Sequence, residues 1–368
     1  MKIVDVTATV FAWDDIPPSI YGENVASAPR SELALITVST DQGVDGHAFL
    51  GASFRSAYLD VASLMRTLKP ILIGQNPLER ERLFRAMMNR QRSTTLRAIG
   101  ALDVALWDIG GKVANLPIHA LIGTCRRKVR AYASSSRLRR REDYPQQWAA
   151  LRECGFTAYK IHPTVNPEDA IPLCREMRKV VGEATPLMID PVCSLDYPAA
   201  LRLGHVIEDL GFYWYEDPLA AQDLYNCAKL RRQLRIPLMA TELTAGGFDT
   251  YAAWLVAEAT DYLRGDVAIK GGITTLIKTA HLAEAFGLNF EVHHGGNSLN
   301  NVANLHVIMA IANCEYFEVL MPDASHKYGL VHDIELDQAG EVHAPDGPGL
   351  GVEIDFDLIR RKQIEVLR

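Results

Sequence analysis

The chain has 368 residues, of which 48% are apolar and 23% are charged, and this composition is typical of a water-soluble globular protein. Its net charge of −7 argues against a general nucleic-acid binder, and the basic run at 137–141 is followed at once by two acids. No apolar run approaches the roughly 18 residues of a membrane span, so we expect a cytoplasmic protein with neither nucleic acid nor membrane as partner. The six cysteines are scattered, which excludes a disulfide framework or a cysteine zinc site.

The first third of the chain predicts two strands followed by helices. Alternating apolar residues favour strands at 2–12 and 33–40, and apolar spacing favours helices at 56–69, 77–92 and 94–114. Between the strands lies a long irregular loop at 14–30, which suits a lid over a binding site as well as it suits a passive surface loop.

From about residue 130 the pattern becomes periodic. Eight short β-rich segments recur, each followed by an amphipathic stretch, with predicted strand ends 24 to 29 residues apart. Near-constant βα repeats of this number favour a closed α/β barrel over a doubly wound sheet. The predicted ends are Ser134, Ile161, Asp190, Glu216, Glu242, Asp266, His293 and Glu318. We therefore expect a capping domain at 1–125, a barrel at 126–330, and a C-terminal segment at 331–368 that packs back on the cap.

Three successive strands end in acids, namely Asp190, Glu216 and Glu242, at intervals of 26 residues. Active sites of such barrels lie at the C-terminal strand ends, so these carboxylates are expected to converge. Unpaired, they would repel one another, and a divalent cation resolves that repulsion. All-oxygen ligation favours Mg²⁺ first and Mn²⁺ second.

Groups that exchange protons are predicted on the other side of the barrel mouth. Lys160 and His162 share one strand face, and a lysine beside a cation is expected to have a lowered pKa. Asp266 ends the strand next to that of His293 and can fix the tautomer of its imidazole. His294 is the alternative to His293, and Lys270 is expected to serve packing or the surface. A cation plus bases on two sides fits removal of the proton α to a carboxylate through an enediolate.

These residues resemble the mandelate racemase subgroup of the enolase superfamily over essentially the whole chain. The segment at 101–123 resembles the family signature that precedes the barrel, and the motif at 265–274 also fits. Asp266 stands where the muconate-cycloisomerase subgroup carries a catalytic lysine, so that subgroup is disfavoured. The resemblance implies a modified (β/α)₇β TIM-like barrel with an N-terminal α+β capping domain completed by the C-terminal segment.

The resemblance also implies roles for single residues. Asp190, Glu216 and Glu242 match the metal ligands, Asp266 and His293 match the subgroup's dyad, and Glu318 matches an acid that binds the substrate carboxylate. His162 departs from the second lysine of the family's Lys-x-Lys motif, which leaves the choice of base between His162 and Lys160 open. Val192 replaces a frequent asparagine.

Most members of this subgroup resemble acid-sugar dehydratases, so we expect an Mg²⁺-dependent hydro-lyase that converts an aldonate or aldarate to a 2-keto-3-deoxy acid. His293 would protonate the departing hydroxyl and His162 or Lys160 would be the base, and these roles could be swapped with the configuration of the substrate. The alternatives are a racemase, epimerase or lactone cycloisomerase, and a non-catalytic metal-dependent binding protein. The resemblance implies a homo-oligomer, from dimer to octamer. Substrate contacts are expected from the cap loops: Tyr21 and Arg55, with Ser19, Asn24, Ser53 and Ser56.

Overall fold

A computed structural model describes residues 1–21, 25–164 and 166–368, and it begins with an antiparallel sheet. The strands of the capping domain are β1 (Ile3–Trp13), β2 (Ile20–Tyr21), β3 (Val25–Ala26), β4 (Ser31–Thr40) and β5 (Gly46–Leu50). Burial alternates over Val6–Val10 of β1 and Ile36–Thr40 of β4, as the sequence pattern predicts, whereas Val10–Trp13 and Leu33–Ile36 are buried throughout. The predicted irregular loop contains the small hairpin of β2 and β3.

Five α-helices follow in the described part of the cap, and α4 packs on the sheet. They are α1 (Tyr58–Ser63), α2 (Lys69–Leu72), α3 (Arg80–Met88), α4 (Leu96–Ala114) and α5 (Ile118–Ile122). The predicted continuous helix at 56–69 is instead interrupted by a π-helical turn at Leu64–Leu68. The long helix α4 is capped by Thr95, whose side chain accepts a hydrogen bond from the Ala98 backbone N–H, and it is buried on most of its surface.

A barrel of eight parallel strands follows. The strands are β6 (Lys128–Ser134), β7 (Tyr159–Ile161), β8 (Leu187–Ile189), β9 (Tyr215–Glu216), β10 (Leu238–Ala240), β11 (Tyr262–Gly265), β12 (Asn289–Val292) and β13 (Tyr316–Leu320). The hydrogen-bonded order runs from β12 down to β6 and on to β13, so the barrel is nearly closed. All eight predicted strand ends lie within two residues of the observed ones, and Glu318 lies just inside the end of β13.

Seven helices separate the barrel strands. They are α6 (Asp143–Glu153), α7 (Pro167–Val181), α8 (Tyr197–Asp209), α9 (Leu224–Arg231), α10 (Tyr251–Val256), α11 (Ile273–Ala285) and α12 (Ser298–Ala310). In the part of the chain that the structure describes, only a 3₁₀ turn at Asp323–Ser325 follows β13 at the corresponding place. The architecture is therefore the modified (β/α)₇β barrel rather than a regular eightfold repeat.

The cap and the barrel are joined where α4 meets the start of α11. Asp103 of α4 accepts hydrogen bonds from the backbone N–H and the hydroxyl of Thr274, at 2.9 and 2.7 Å. Gly100 lets the two elements approach closely, because a Cβ at this position would lie 2.3 Å from the carbonyl oxygen of Val267. The signature helix and the glycine motif at 265–274 are thus two sides of one interface.

The C-terminal segment contacts both units. Strand β14 (Glu341–His343) pairs antiparallel with β6 of the barrel, so this part of the segment does not pack on the cap as expected. After helix α13 (Phe356–Lys362), strand β15 (Gln363–Leu367) pairs antiparallel with β1 and completes the cap sheet. Among the described helices, none has both the length and the apolar character that crossing a membrane requires.

Candidate active site

A cleft of about 1030 Å³, its open mouth included, lies between the C-terminal strand ends and the cap. Most of the residues that the sequence singled out line it: Tyr21, Arg55, Lys160, His162, Asp190, Glu242, Asp266, His293 and Glu318. Glu216 is fully buried beside them, at the end of β9. Residues from seven different strands and from the cap loops therefore meet in one space.

Three acids form a compact group at the ends of β8, β9 and β10. Asp190, Glu216 and Glu242 each offer a carboxylate oxygen, and these oxygens lie within 4.8 Å of one another. Burial raises the pKa of Glu216 to about 7, and the neighbouring Asp190 adds to this effect, although Arg264 and Lys160 oppose it. A group of buried carboxylates at this spacing is the donor set that a hard divalent cation requires.

Lys160 is fully buried among the acids. Its Nζ lies 2.7 Å from Glu216 Oε2, 2.8 Å from Glu318 Oε1 and 3.7 Å from Asp190 Oδ2. Burial and the nearby Arg264 lower the pKa of Lys160, but Glu216 and Glu318 outweigh them, so its pKa is raised well above the ordinary value. The lowered pKa that we expected for Lys160 depends on a bound cation, and without one the close carboxylates dominate.

His162 lies between the backbone of β6 and the acid group. Its Nδ1 is 2.5 Å from the carbonyl oxygen of Ser135, which is an acceptor only, so Nδ1 carries a proton. Its Nε2 is 3.1 Å from Asp190 Oδ2, and the ring of Tyr21 packs edge-on against it at 5.0 Å. Both ring nitrogens of His162 therefore face oxygen acceptors, and Nε2 is the one that points into the site beside the acid group.

The opposite wall carries the dyad. His293 Nδ1 lies 2.5 Å from Asp266 Oδ2, and its Nε2 lies 3.4 Å from Glu242 Oε1. Burial lowers the pKa of His293, but Glu242 and Asp266 outweigh burial and raise it to about 9. In contrast, burial lowers the pKa of His294 to about 3, and its Nδ1 faces the carbonyl of Val292. The two histidines between which the sequence left the choice open therefore differ: His293 contacts Asp266, and His294 faces a backbone carbonyl.

Arg264 is a buried member of the site that the sequence analysis missed. Its guanidinium lies 2.5 Å from Glu318 Oε2 and 3.4 Å from Glu242 Oε2, and it also contacts Glu216. The signal was present, because Arg264 lies on β11 two residues before Asp266, which directly follows the strand, and alternation places the two side chains on one face. Arg264 places a second fixed cation beneath the acids, beside Lys160.

The cap contributes differently from what we expected. Tyr21 donates its hydroxyl proton to the carbonyl of Met321 at 2.8 Å, and Arg55 forms two 3.0 Å hydrogen bonds to Asp60. The three serines proposed for this surface, Ser19, Ser53 and Ser56, do not line the cleft, and Asn24 lies outside the described residues. Ser53 is fully buried instead.

Much of the remaining wall is apolar. The side chains concerned are Phe49, Leu50, Phe54, Val192, Leu243, Ile269 and Leu320. Val192 adopts a positive φ of 53° while its backbone N–H donates to Asp190 Oδ1 at 2.7 Å. Asparagine tolerates this backbone conformation better than a β-branched residue, so Val192 adds strain as well as apolar surface.

Two further polar residues of the cleft, Arg97 and His326, had no role in the sequence analysis. His326 Nε2 lies 3.3 Å from the hydroxyl of Tyr21, and burial lowers the pKa of His326 to about 4. Lys270 is buried outside the cleft, where its Nζ donates to the carbonyl and the hydroxyl of Thr244 at 2.6 and 2.9 Å. Its packing role agrees with the expectation.

Known proteins of two kinds resemble this chain. Arabinonate dehydratase from Saccharolobus solfataricus is 28% identical, covering 84% of this chain and 86% of the relative. D-galactarolactone cycloisomerase from Agrobacterium fabrum is 30% identical, covering 81% and 83%. Among solved structures, D-glucarate dehydratase from Agrobacterium tumefaciens complexed with magnesium superposes with a TM-score of 0.88 at 33% identity, covering 99% of this chain and 100% of that one.

Two family descriptions cover most of the sequence. Residues 7–123 match the N-terminal domain of the mandelate racemase/muconate lactonizing enzyme family, and residues 143–358 match the domain described as enolase C-terminal domain-like. These matches coincide with the cap and with the barrel, and the site lies between the two. The chain therefore belongs to the mandelate racemase/muconate lactonizing enzyme family of the enolase superfamily.

Proposed function

We propose that this protein is a hydro-lyase that dehydrates an acid sugar, an aldonate or aldarate, to a 2-keto-3-deoxy acid. One observation carries the proposal: a cation-binding acid group stands between proton-transfer residues on two sides of the same cleft. Relatives named arabinonate, L-rhamnonate and D-xylonate dehydratase support the reaction class. The substrate is a small carboxylate, and we propose that the enzyme acts as a homo-oligomer.

The acid group fits Mg²⁺, with Mn²⁺ as second choice. Asp190, Glu216 and Glu242 would hold the ion, since all three are oxygen donors and their ligand atoms lie within 4.8 Å of one another. When bound, the ion supplies Lewis-acid polarisation of the substrate carboxylate, which acidifies the proton on the α-carbon. The magnesium in the glucarate dehydratase structure supports this choice of metal.

His162 and Lys160 form the face that receives the α-proton. Because Nδ1 of His162 donates to the Ser135 carbonyl, its Nε2 is the atom that can accept a proton from the substrate. Lys160, whose pKa is raised, stays protonated and stabilises negative charge that develops on the substrate carboxylate. We therefore assign the base to His162 and electrostatic stabilisation to Lys160, with Glu318 as a further contact to the carboxylate.

His293 faces the same space from the other side and delivers the proton to the leaving hydroxyl. Asp266 holds Nδ1 at 2.5 Å, which leaves Nε2 directed into the cleft. The carboxylate orients the ring and stabilises its protonated form. Loss of the β-hydroxyl as water gives an enol, which tautomerises to the 2-keto product.

A racemase, epimerase or lactone cycloisomerase is the second candidate. One face of the site can take a proton from the substrate and the opposite face can return one. The relative named D-galactarolactone cycloisomerase, which is 30% identical to this chain, supports this alternative. This reaction exchanges the α-proton without forming a 2-keto acid. The products therefore separate the two candidates.

The test is NMR of the protein with Mg²⁺ in D₂O against a panel of aldonic and aldaric acids. We expect a 2-keto-3-deoxy product from at least one acid, and we expect His293→Asn to abolish turnover while leaving Mg²⁺ binding unchanged. Deuterium at the α-carbon of an intact skeleton would instead favour the racemase or epimerase. Full turnover by the His293→Asn variant would disprove the assigned role of His293.

A further inference from the structure

Arg97 is a cation of the cleft that has no partner among the described residues. It is the second residue of α4, it is partly buried, and its side chain lines the cleft from the cap. Within residues 1–21, 25–164 and 166–368, it forms no hydrogen bond and no ion pair. A partly desolvated guanidinium without an anion costs free energy, so such a group in a binding site calls for an explanation.

Arg55, the second arginine that lines the cleft, is paired with an acid and serves as a comparison for Arg97. Arg55 lies in the same wall, and both of its hydrogen bonds to Asp60 measure 3.0 Å. Burial lowers the pKa of Arg97, and the charge of Arg55 lowers it further, although Asp266 and Asp60 partly compensate. Arg97 therefore lies near acids that already have partners.

The acids of the described cleft are all engaged elsewhere. Asp190 contacts His162, Glu242 contacts His293 and Arg264, Asp266 contacts His293, and Glu318 contacts Lys160 and Arg264. Much of the remaining wall is apolar and offers no acceptor. Since the described part of the chain offers Arg97 no free anion, a bound substrate can supply one.

We propose that Arg97 binds a second carboxylate, at the end of the substrate remote from the reacting α-carbon. The site then takes dicarboxylic acid sugars, the aldarates, in preference to aldonates. A planar guanidinium matches a carboxylate with two parallel hydrogen bonds, whereas a terminal hydroxyl of an aldonate offers it one neutral acceptor. The inference rests on the proposed function for the identity of the reacting end, because Lys160 and the acid group lie at the barrel side of the cleft and Arg97 lies at the cap side.

The first test measures binding of unreactive probes in the presence of Mg²⁺. Adipate has two carboxylates on six carbons and hexanoate has one, and calorimetry gives the affinity of the intact protein for each. We expect adipate to bind the wild type more tightly than hexanoate does, and Arg97→Met to lose about 10- to 100-fold in adipate affinity with hexanoate unchanged. Arg92→Met removes an exposed arginine just before α4 and serves as the matched control, with affinities like those of the wild type.

The second test measures turnover of an aldarate and of the aldonate of the same configuration. Arg97→Met should lower kcat/KM for the aldarate by about 10- to 100-fold and leave that for the aldonate within threefold, and Arg97→Lys should restore part of the loss. Equal adipate binding by wild type and Arg97→Met would overturn the inference even if acid sugars are dehydrated. Absence of any turnover together with Arg97-dependent adipate binding would overturn the proposed reaction and leave the dicarboxylate site standing.

Discussion

Arg264 and Lys160 lie side by side in the barrel interior, and together they balance the acids above them. Arg264 reaches Glu216, Glu242 and Glu318, and one of its amino groups lies 3.2 Å from the hydroxyl of Tyr132. Burial lowers the pKa of Arg264, but Glu216 and Glu318 outweigh burial and raise this pKa well above its ordinary value. A buried cation in this position keeps Glu216 and Glu318 in place before any metal or substrate arrives.

Removing this cation leaves buried carboxylates without a partner. We expect Arg264→Met to lower the free energy of unfolding by about 3–5 kcal/mol, the usual cost of breaking a buried ion pair by removing one partner. Arg264→Lys keeps the charge but loses the planar fork, so its loss should be smaller. Urea unfolding followed by circular dichroism measures both, with Arg202→Met as the exposed control. A stable Arg264→Met variant would show that the acids are protonated or hydrated instead.

The sequence could predict the residues at the strand ends but not the charges below them. Asp190, Glu216 and Glu242 were found because they recur at 26-residue intervals at the ends of β-rich segments. Arg264 was missed because an arginine is rarely fully buried, and composition and spacing do not identify its partners. The raised pKa of Lys160 could not be predicted for the same reason. It depends on the carboxylates of Glu216 and Glu318, which are 56 and 158 residues away in sequence.

At the scale of elements, the contact between α4 and α11 connects the cap with the barrel. Asp103 accepts two hydrogen bonds from Thr274 in the first turn of α11, where the helix dipole favours a negative charge. Burial nevertheless raises the pKa of Asp103 to about 7, and the Thr274 hydrogen bonds only partly oppose this. A glycine is required at position 272, next to the Asp103 carboxylate, because a Cβ there would lie 2.4 Å from one of its oxygens.

This buried acid predicts a pH-dependent stability. The Asp103 carboxyl titrates near 3.8 when unfolded and near 7 when folded, so between these values the folded state holds a proton that the unfolded state has lost. Its contribution to stability is therefore present below about pH 4 and is lost as the pH rises through 7. We expect Asp103→Asn to gain stability relative to the wild type between pH 5 and pH 8, by about 3 kcal/mol, because about two pH units separate pH 5 from the folded pKa.

The measurement is the free energy of unfolding of wild type and Asp103→Asn at pH 5 and at pH 8. Asp209→Asn, which changes an exposed acid on α8, is the control and should follow the wild type at both values. If the difference between Asp103→Asn and the wild type is the same at pH 5 and at pH 8, then Asp103 is ionised throughout and the Thr274 hydrogen bonds outweigh burial.

Elements were predicted best where one period runs without interruption. The barrel strands were located because each βα unit repeats one pattern, and β1 and β4 because their two faces differ in burial. The π-helical turn at Leu64–Leu68 was not predicted, since its apolar spacing is close to that of an α-helix. The hairpin of β2 and β3 is also too short to leave a periodic signal.

At the scale of the whole molecule, the cleft exists because the chain builds a cap, then a barrel, and then returns to the cap. The Asn297 side chain donates to the carbonyl of Gly51 at 2.9 Å, across 246 residues of sequence, and positions the cap loop over the barrel mouth. Contacts of this range carry no local pattern. The sequence therefore located the barrel side of the site, whereas Phe54 and Arg97 on the cap side, and the absence of the expected serines from the cleft, became apparent only in the structure.

The acid group couples metal binding to folding of the whole barrel. Asp190, Glu216 and Glu242 belong to three strands and come together only when the barrel is closed, so the unfolded chain offers no comparable site. Mg²⁺ at about 100 times its Kd should therefore raise the free energy of unfolding by about 2.7 kcal/mol. Removal of the ion with EDTA should reverse the effect, and thermal unfolding with and without Mg²⁺ measures it.

Variants of one ligand separate this effect from general binding of cations to an acidic protein. Glu242→Gln keeps the size of the side chain but removes one ligand charge, and we expect it to abolish most of the Mg²⁺-dependent rise in Tm. Glu284→Gln removes an exposed charge on α11 and should keep the full Mg²⁺ response. An equal Mg²⁺ response in both variants would place the ion elsewhere and would remove the metal from the proposed reaction.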